Sequence, residues 1–301
     1  MLASCSWPRS IGAMGVTIRG RVSLPAAAIA LAISACEAED DKSDRSASDP
    51  GPVHVHGLGI NPADGALFIA THTGLFRVPQ GLEQAERVAG RYQDTMGFTV
   101  VGPDRFLGSG HPDGRENLPP FLGLIESRDA GKTWKPISLQ GQRDFHVLEA
   151  AGTRVYGFGA DFETRDQALL VSSDGGRQWF TRKPPEPLLD LAIDPGAPDR
   201  VVASGERRLY GSADGGVKWR PLGDEPGLLA WATSDKLYLV GLDGRTRVSS
   251  TGGEGWETMG LIDGEPAALA HHGQDLYVAL HDGTVKRSSD GGRQWSVRSR
   301  P

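Results

Sequence analysis

The chain is nearly without cysteine: its 301 residues hold two, Cys5 and Cys36, and none follows residue 36. A disulfide framework or a thiolate metal site in the rest of the chain is therefore excluded. Residues 22–36 (VSLPAAAIALAISAC) form an apolar run too short to span a bilayer, and the length suits a signal-peptide core. A basic patch is also missing. Net charge is −6 with Lys and Arg scattered, which argues against nucleic acid as a partner. Nor does any contiguous metal-binding phrase occur.

What is present at the start is an export signal. Arg19 and Arg21 precede the apolar run, which closes on Ile33-Ser34-Ala35-Cys36. This ending resembles a bacterial lipobox, in which the cysteine is lipidated and becomes the new N-terminus. Residues 1–35 are thus expected to be a lipoprotein signal peptide and Cys36 the lipid attachment point. Met14 offers an alternative start. Residues 36–52, acidic and Ser-rich without a large apolar side chain, read as a flexible tether. The expected location is the bacterial cell envelope, periplasmic or outer face, with the membrane as a partner through the lipid. Glu37 after the cysteine favours outer-membrane sorting.

The 41 glycines and 20 prolines favour many short strands joined by turns. SSDGGRQW stands at residues 172–179 and again, unchanged, at 288–295. Related phrases occupy 127–134 (SRDAGKTW), 212–219 (SADGGVKW) and 249–256 (SSTGGEGW), a period near 40 residues. Each follows an apolar strand, a short turn and a second strand; 237–248 and 276–287 are the clearest pair. Residues 67–77 repeat that lead-in without a phrase after it. Six units of about 41 residues over 53–301 predict an all-β, six-bladed β-propeller of four-stranded blades.

The phrases resemble the Asp-box, or BNR repeat, of sialidase- and sortilin-type propellers. Asp129, Asp174, Asp214 and Asp290 take its acidic position, Thr251 replaces it once, and Trp134, Trp179, Trp219, Trp256 and Trp295 close it. The expected role is structural: the carboxylate accepts turn N–H groups, glycine supplies the unusual backbone angle, and Trp fills space beside the turn. HVHG at 54–57, DTMGF at 94–98 and GHPD at 110–113 resemble phrases of bacterial Asp-box proteins that carry a glycosyl-hydrolase name.

Function must come from a site, not from the fold. The first strands of blades 1–3 open with His54-Val-His56, Asp94-Thr-Met96 and Asp144-Phe-His146. Strand alternation sends residues i and i+2 to one side, so these pairs can face one another across the channel. The first strands of blades 4–6 (188–191, 228–231 and 266–269) read as mostly apolar. Turns between second and third strands share this face and add His72, His111 and His281, with Asp161 in a similar place. Six of the eight histidines thus fall on one face, opposite the boxes.

Imidazole, thioether and carboxylate together suit a transition metal. Met96 tilts the set towards copper, while a His/Asp set alone suits zinc or another divalent ion. The expected metal ligands are His54, His56, Met96 and His146, with Asp94, Asp144, His72 and His111 around them. Two other readings stand beside this. A glycoside hydrolase of sialidase-like type would draw on Asp94, Asp144, Asp113 and Tyr92. It would also need an arginine clamp and a Tyr nucleophile. Phe76-Arg77-Val78-Pro79 resembles a sialidase phrase but lies on a third strand, and Tyr156, Tyr210, Tyr238 and Tyr277 read as equivalent core positions on second strands. A non-catalytic scaffold that binds a protein partner needs no such pocket.

Overall fold

A computed structural model describes residues 51–301. The expected signal peptide, Cys36 and most of the expected tether lie outside the described residues. Twenty-four strands form six four-stranded antiparallel sheets, each in simple consecutive order. Blade 1 holds β1 (Val55–Ile60), β2 (Leu67–Thr71), β3 (Gly74–Val78) and β4 (Glu86–Arg87). Blade 2 holds β5 (Asp94–Gly102), β6 (Arg105–His111), β7 (Leu124–Ser127) and β8 (Lys135–Ser138). Blade 3 holds β9 (Arg143–Ala151), β10 (Arg154–Asp161), β11 (Gln167–Ser172) and β12 (Phe180–Arg182). Blade 4 holds β13 (Leu188–Ile193), β14 (Val201–Gly205), β15 (Leu209–Ser212) and β16 (Arg220–Gly223). Blade 5 holds β17 (Gly227–Thr233), β18 (Lys236–Gly241), β19 (Arg245–Ser249) and β20 (Glu257–Leu261). Blade 6 holds β21 (Pro266–His272), β22 (Asp275–Leu280), β23 (Val285–Ser288) and β24 (Ser296–Ser299).

Each innermost strand packs on the innermost strands of both neighbours, β21 on β1 included, so the ring closes as a six-bladed propeller. Its core is six separate clusters, one at each interface between blades. The phrase tryptophans belong to them. Trp134 packs with Phe68 and Phe106 between blades 1 and 2, and Trp179 with Leu124 and Phe145 between blades 2 and 3. Trp219, Trp256 and Trp295 repeat this round the ring. Blade 1 has no such turn, so the junction of blades 6 and 1 lacks a Trp. There Arg298 donates to the carbonyls of Val78, Pro79 and Leu82, Ser299 donates to that of Glu83, and Gln84 bridges Arg300. Among the described residues no helix is long and apolar enough to cross a membrane.

The repeated turn joins third and fourth strands. In residues 172–179, Ser172 Oγ donates to Asp174 Oδ1 (2.8 Å) and accepts the Gly176 N–H (2.9 Å). Asp174 Oδ1 accepts the N–H groups of Arg177 (3.0 Å) and Gln178 (2.9 Å). Gly175 and Gly176 have φ of 75° and 85°, the left-handed region that glycine enters without strain. Asp214 and Asp290 accept the same pair of N–H groups. In blade 5 the Ser249 half persists, with Gly253 N–H at 2.9 Å, but Thr251 has no carboxylate for the turn. Thr251→Asp is expected to raise Tm by about 1–3 °C through the missing N–H acceptor. The side chain of Arg200, which already donates to the Thr251 carbonyl, adds a favourable charge. Calorimetry checks this, and an unchanged or lowered Tm would count against a stabilising role for the acid.

Two readings of the sequence need correction. Tyr210 lies on the third strand β15, opposite Ala203 of β14, because blade 4's second strand (VVASG) carries no aromatic. Asp161 is one residue off the histidine position: the register pairs Ala160, not Asp161, with Asp144, and Asp161 pairs with Arg143 (3.1 Å).

Candidate metal centre

The candidate residues gather where the first strands begin, at one mouth of the axial channel. Strict alternation does not bring them there; a bulge does. In β1 the register steps from Val55 to Gly57, leaving His56 unpaired. In β5 it leaves Met96 and in β9 it leaves His146. Blades 4 and 6 repeat the step at Leu189 and Ala267. A bulge kinks the strand and re-aims its extra residue. His56 and His146, with Leu189, Leu228 and Ala267, line a cavity of about 80 Å³ at the head of the channel. Met96 is the blade 2 counterpart of His56 and His146.

The residues before the bulges, His54, Asp94 and Asp144, are likewise equivalent, and so are His72 and His111 in the following turns. His54 has φ of 53°, a left-handed conformation uncommon outside glycine, and its carbonyl accepts the His72 N–H (3.2 Å). Gly110, opposite Thr95 in the β5–β6 pairing, is required there: a Cβ would lie 2.1 Å from the Asp94 carbonyl oxygen.

Across the junction of blades 1 and 2, and again across that of blades 2 and 3, the turn imidazole of one blade meets the carboxylate of the next. His72 Nδ1 lies 2.9 Å from Asp94 Oδ2, and His111 Nε2 lies 3.4 Å from Asp144 Oδ2. His146 Nε2 also contacts Asp144 Oδ2, at 3.0 Å. His56 Nε2 and Asp94 Oδ1 are 3.7 Å apart, too far for a hydrogen bond, and both are buried without a partner. One donor atom each from His56, His72 and Asp94 falls within 4.8 Å of the others.

The electrostatics follow from this crowding. Burial first, then the imidazoles of His72, His146 and His54, lower the His56 pKa to about 4. Its ring is neutral at pH 7, with a lone pair to give. Burial raises Asp94 above the usual carboxylate value against the pull of His72 and His111, and the charge of Asp144 acts with burial. Burial also opposes ionisation of Asp144, but hydrogen bonds from His111 and His146 hold it at about 2. The hydrogen bond to Asp144 lifts His111 to about 9 against burial, helped by donation from Nδ1 to the Pro120 carbonyl.

His111 therefore makes stability depend on pH. Its folded pKa exceeds the ordinary histidine value of 6.5, so its contribution is complete below about pH 6.5 and is lost as pH rises to about 9. The ring is 39% exposed, and solvent screening reduces the effect to about 1 kcal/mol. Denaturant melts of the chelator-treated protein between pH 6 and 9 should show this decline, and His111→Gln should flatten it. An identical slope in the variant would refute the assignment.

Asp113 and Tyr92 stand apart as a structural pin. Asp113 accepts the Tyr92 N–H (2.8 Å) and the Arg115 guanidinium, which holds its carboxyl well below the usual range. The guanidinium carbons of Arg87 and Arg115 lie 3.9 and 5.1 Å from the Tyr92 ring centroid. His281 occupies the blade 6 turn, its N–H bound to the Glu265 carbonyl. Sequence reasoning missed two channel carboxylates, Glu149 and Asp190, which line the same cavity as His56 and His146. Burial and the charge of Asp190 raise Glu149 well above the usual value. Burial raises Asp190 to about 7 despite the N–H groups of Leu229 and Leu191. A lone charge within the apolar stretches 147–151 and 188–193 was the available signal.

Fold and cluster together define a class: a six-bladed β-propeller with an imidazole- and carboxylate-rich centre at one mouth of its channel. No family model matches the chain, and no curated protein does. Among solved structures it is similar to a chain in the nidogen/laminin complex, at 15% identity and TM-score 0.59, over 78% of this chain and 93% of that one. It is also similar to an ancestral GH74 enzyme, at 10% identity and TM-score 0.54, over 83% and 39%. A third is the GH74 xyloglucanase of Xanthomonas campestris, at 18% identity and TM-score 0.51, over 82% and 45%. At such identities the likeness carries the propeller fold alone, and the chain spans less than half of either hydrolase.

Proposed function

We propose that this protein is an exported, lipid-anchored propeller of the Asp-box type that binds a transition-metal ion, copper by preference, at the mouth opposite its repeated turns. The observation that carries the reading is the pair His56 Nε2 and Asp94 Oδ1: 3.7 Å apart, buried, and each without a partner. Two donors about 2.1 Å from one metal ion stand roughly this far apart, and buried polar atoms are rarely left unpaired otherwise. His72 completes a three-donor set. The preference for copper rests on Met96, a soft donor at a position equivalent to His56 and His146.

Gly51 and His54 lead into β1 on this same face. The purified full chain, titrated with Cu(I), Cu(II) and Zn(II), tests the metal reading; failure to bind any of them would overturn it.

One observation favours a protein partner on the same face. Tyr92, Leu118, Phe162 and Leu189 are exposed large apolar residues on that side, and one similar solved structure is a chain of the nidogen/laminin complex. A glycoside hydrolase could draw on Asp94 and Asp144, or on Asp113 and Asp161, as its acid and base; Asp113 and Asp161 are each paired with an arginine. Asp94 and Asp144 already carry imidazole partners, which favours binding over hydrolysis. No turnover of fluorogenic glycosides, sialosides included, is expected.

A further inference from the structure

We infer that the centre holds two cation positions rather than one, the second lying one blade further round the ring and built from Asp144, Met96 and His146. The inference rests on the metal reading of the first position and deepens it. It comes from two buried carboxylates that are treated alike.

Asp94 gives Oδ2 to the turn imidazole of the preceding blade, His72, and keeps Oδ1 buried without a partner. Asp144 does the same. Its Oδ2 meets the turn imidazole of its preceding blade, His111 (3.4 Å), and His146 (3.0 Å), while Oδ1 is buried without a partner. Asp144 is only 2% exposed, and a carboxylate oxygen so enclosed is expected to have something to bind.

A one-blade rotation maps His72 onto His111, Asp94 onto Asp144 and the bulge residue His56 onto the bulge residue Met96. By strand register, Met96 is to Asp144 what His56 is to Asp94. Both nitrogens of His111 are engaged, Nδ1 by Pro120 and Nε2 by Asp144, which makes it a positioning residue that turns Oδ1 of Asp144 inward. His146, 47% exposed and lining the channel-head cavity, is the available imidazole. The two positions then differ in softness. The first has imidazole and carboxylate donors and suits a borderline divalent ion; the second adds a thioether and suits a soft monovalent ion such as Cu(I).

The test is stoichiometry on the purified full chain under reducing conditions, with Cu(I) and Zn(II) as separate probes. Two equivalents of Cu(I) and one of Zn(II) are expected. Met96→Leu, which conserves volume, should lower Cu(I) to one equivalent and remove sulfur scattering from the Cu(I) absorption spectrum. His56→Ala should instead abolish the Zn(II) site and leave one Cu(I). A single Cu(I) equivalent in the wild type, or two equivalents in Met96→Leu, overturns the second position while the first reading survives. No metal bound in any state removes both. Asp144→Asn is a further probe, and Met96→Leu decides the matter should Asp144→Asn fail to fold.

Discussion

His56→Ala and Asp94→Asn are each expected to weaken binding at the first proposed metal position by about 100-fold or more, ~2.7 kcal/mol at the lower bound. The two substitutions act differently, so agreement between them is informative. His56→Ala removes a neutral imidazole whose protonation is already disfavoured by burial and by neighbouring imidazoles. No proton competes for its nitrogen at neutral pH, and the whole loss appears as lost ligation. Asp94→Asn keeps the volume and an oxygen that can face His72, but removes the only anionic donor of the trio. Asp174→Asn, in the repeated turn on the opposite face, is the control and should change metal affinity less than twofold. Isothermal titration of the three variants decides it. If all three stay within threefold of the wild type, these residues are not ligands.

The propeller was legible because its turn chemistry is written into residue types with few substitutes. Serine, aspartate, two glycines and tryptophan at fixed spacing dictate one turn, and repetition near 40 residues dictates the ring. The polar pairs opening three first strands were legible for a related reason: histidine and aspartate stand out where leucine and alanine serve in blades 4–6. The bulge was not legible. It inserts His56, Met96 and His146 between paired residues and shifts the phase of alternation downstream. Glu149 and Asp190, beyond that shift, were therefore passed over as parts of apolar stretches. The pairing of His72 with Asp94 and of His111 with Asp144 also escaped the sequence, since it joins different blades and depends on how far adjacent sheets rotate. Tyr210 was misplaced because blade 4 puts its aromatic one strand later.

Phe106→Ala is expected to destabilise the protein by about 3–5 kcal/mol. Phe106 is fully buried at the junction of blades 1 and 2. Its ring meets Phe68 edge-on, with centroids 4.7 Å apart, and Phe98 at 5.5 Å. Truncation leaves a cavity walled by two sheets whose positions the closed ring fixes, so the site cannot easily collapse. Loss of two edge-to-face contacts adds to the lost burial. Phe106→Leu, which refills most of the volume, should cost less than half as much, and a loss below about 1.5 kcal/mol for Phe106→Ala in denaturant melts would contradict the packing assigned here. The consequence reaches the proposed metal centre. His56 and His72 belong to blade 1 and Asp94 to blade 2, so their spacing is set by this junction. Phe98, on the same strand as Asp94, is one of the two rings that Phe106 holds. Weaker metal binding is therefore expected in Phe106→Ala at temperatures where it remains folded. A substitution of equal cost at the junction of blades 4 and 5, such as Leu237→Ala in its buried cluster, should leave metal affinity unchanged. That contrast separates general loss of stability from loss of the geometry that brings three donor atoms together across one seam of the ring.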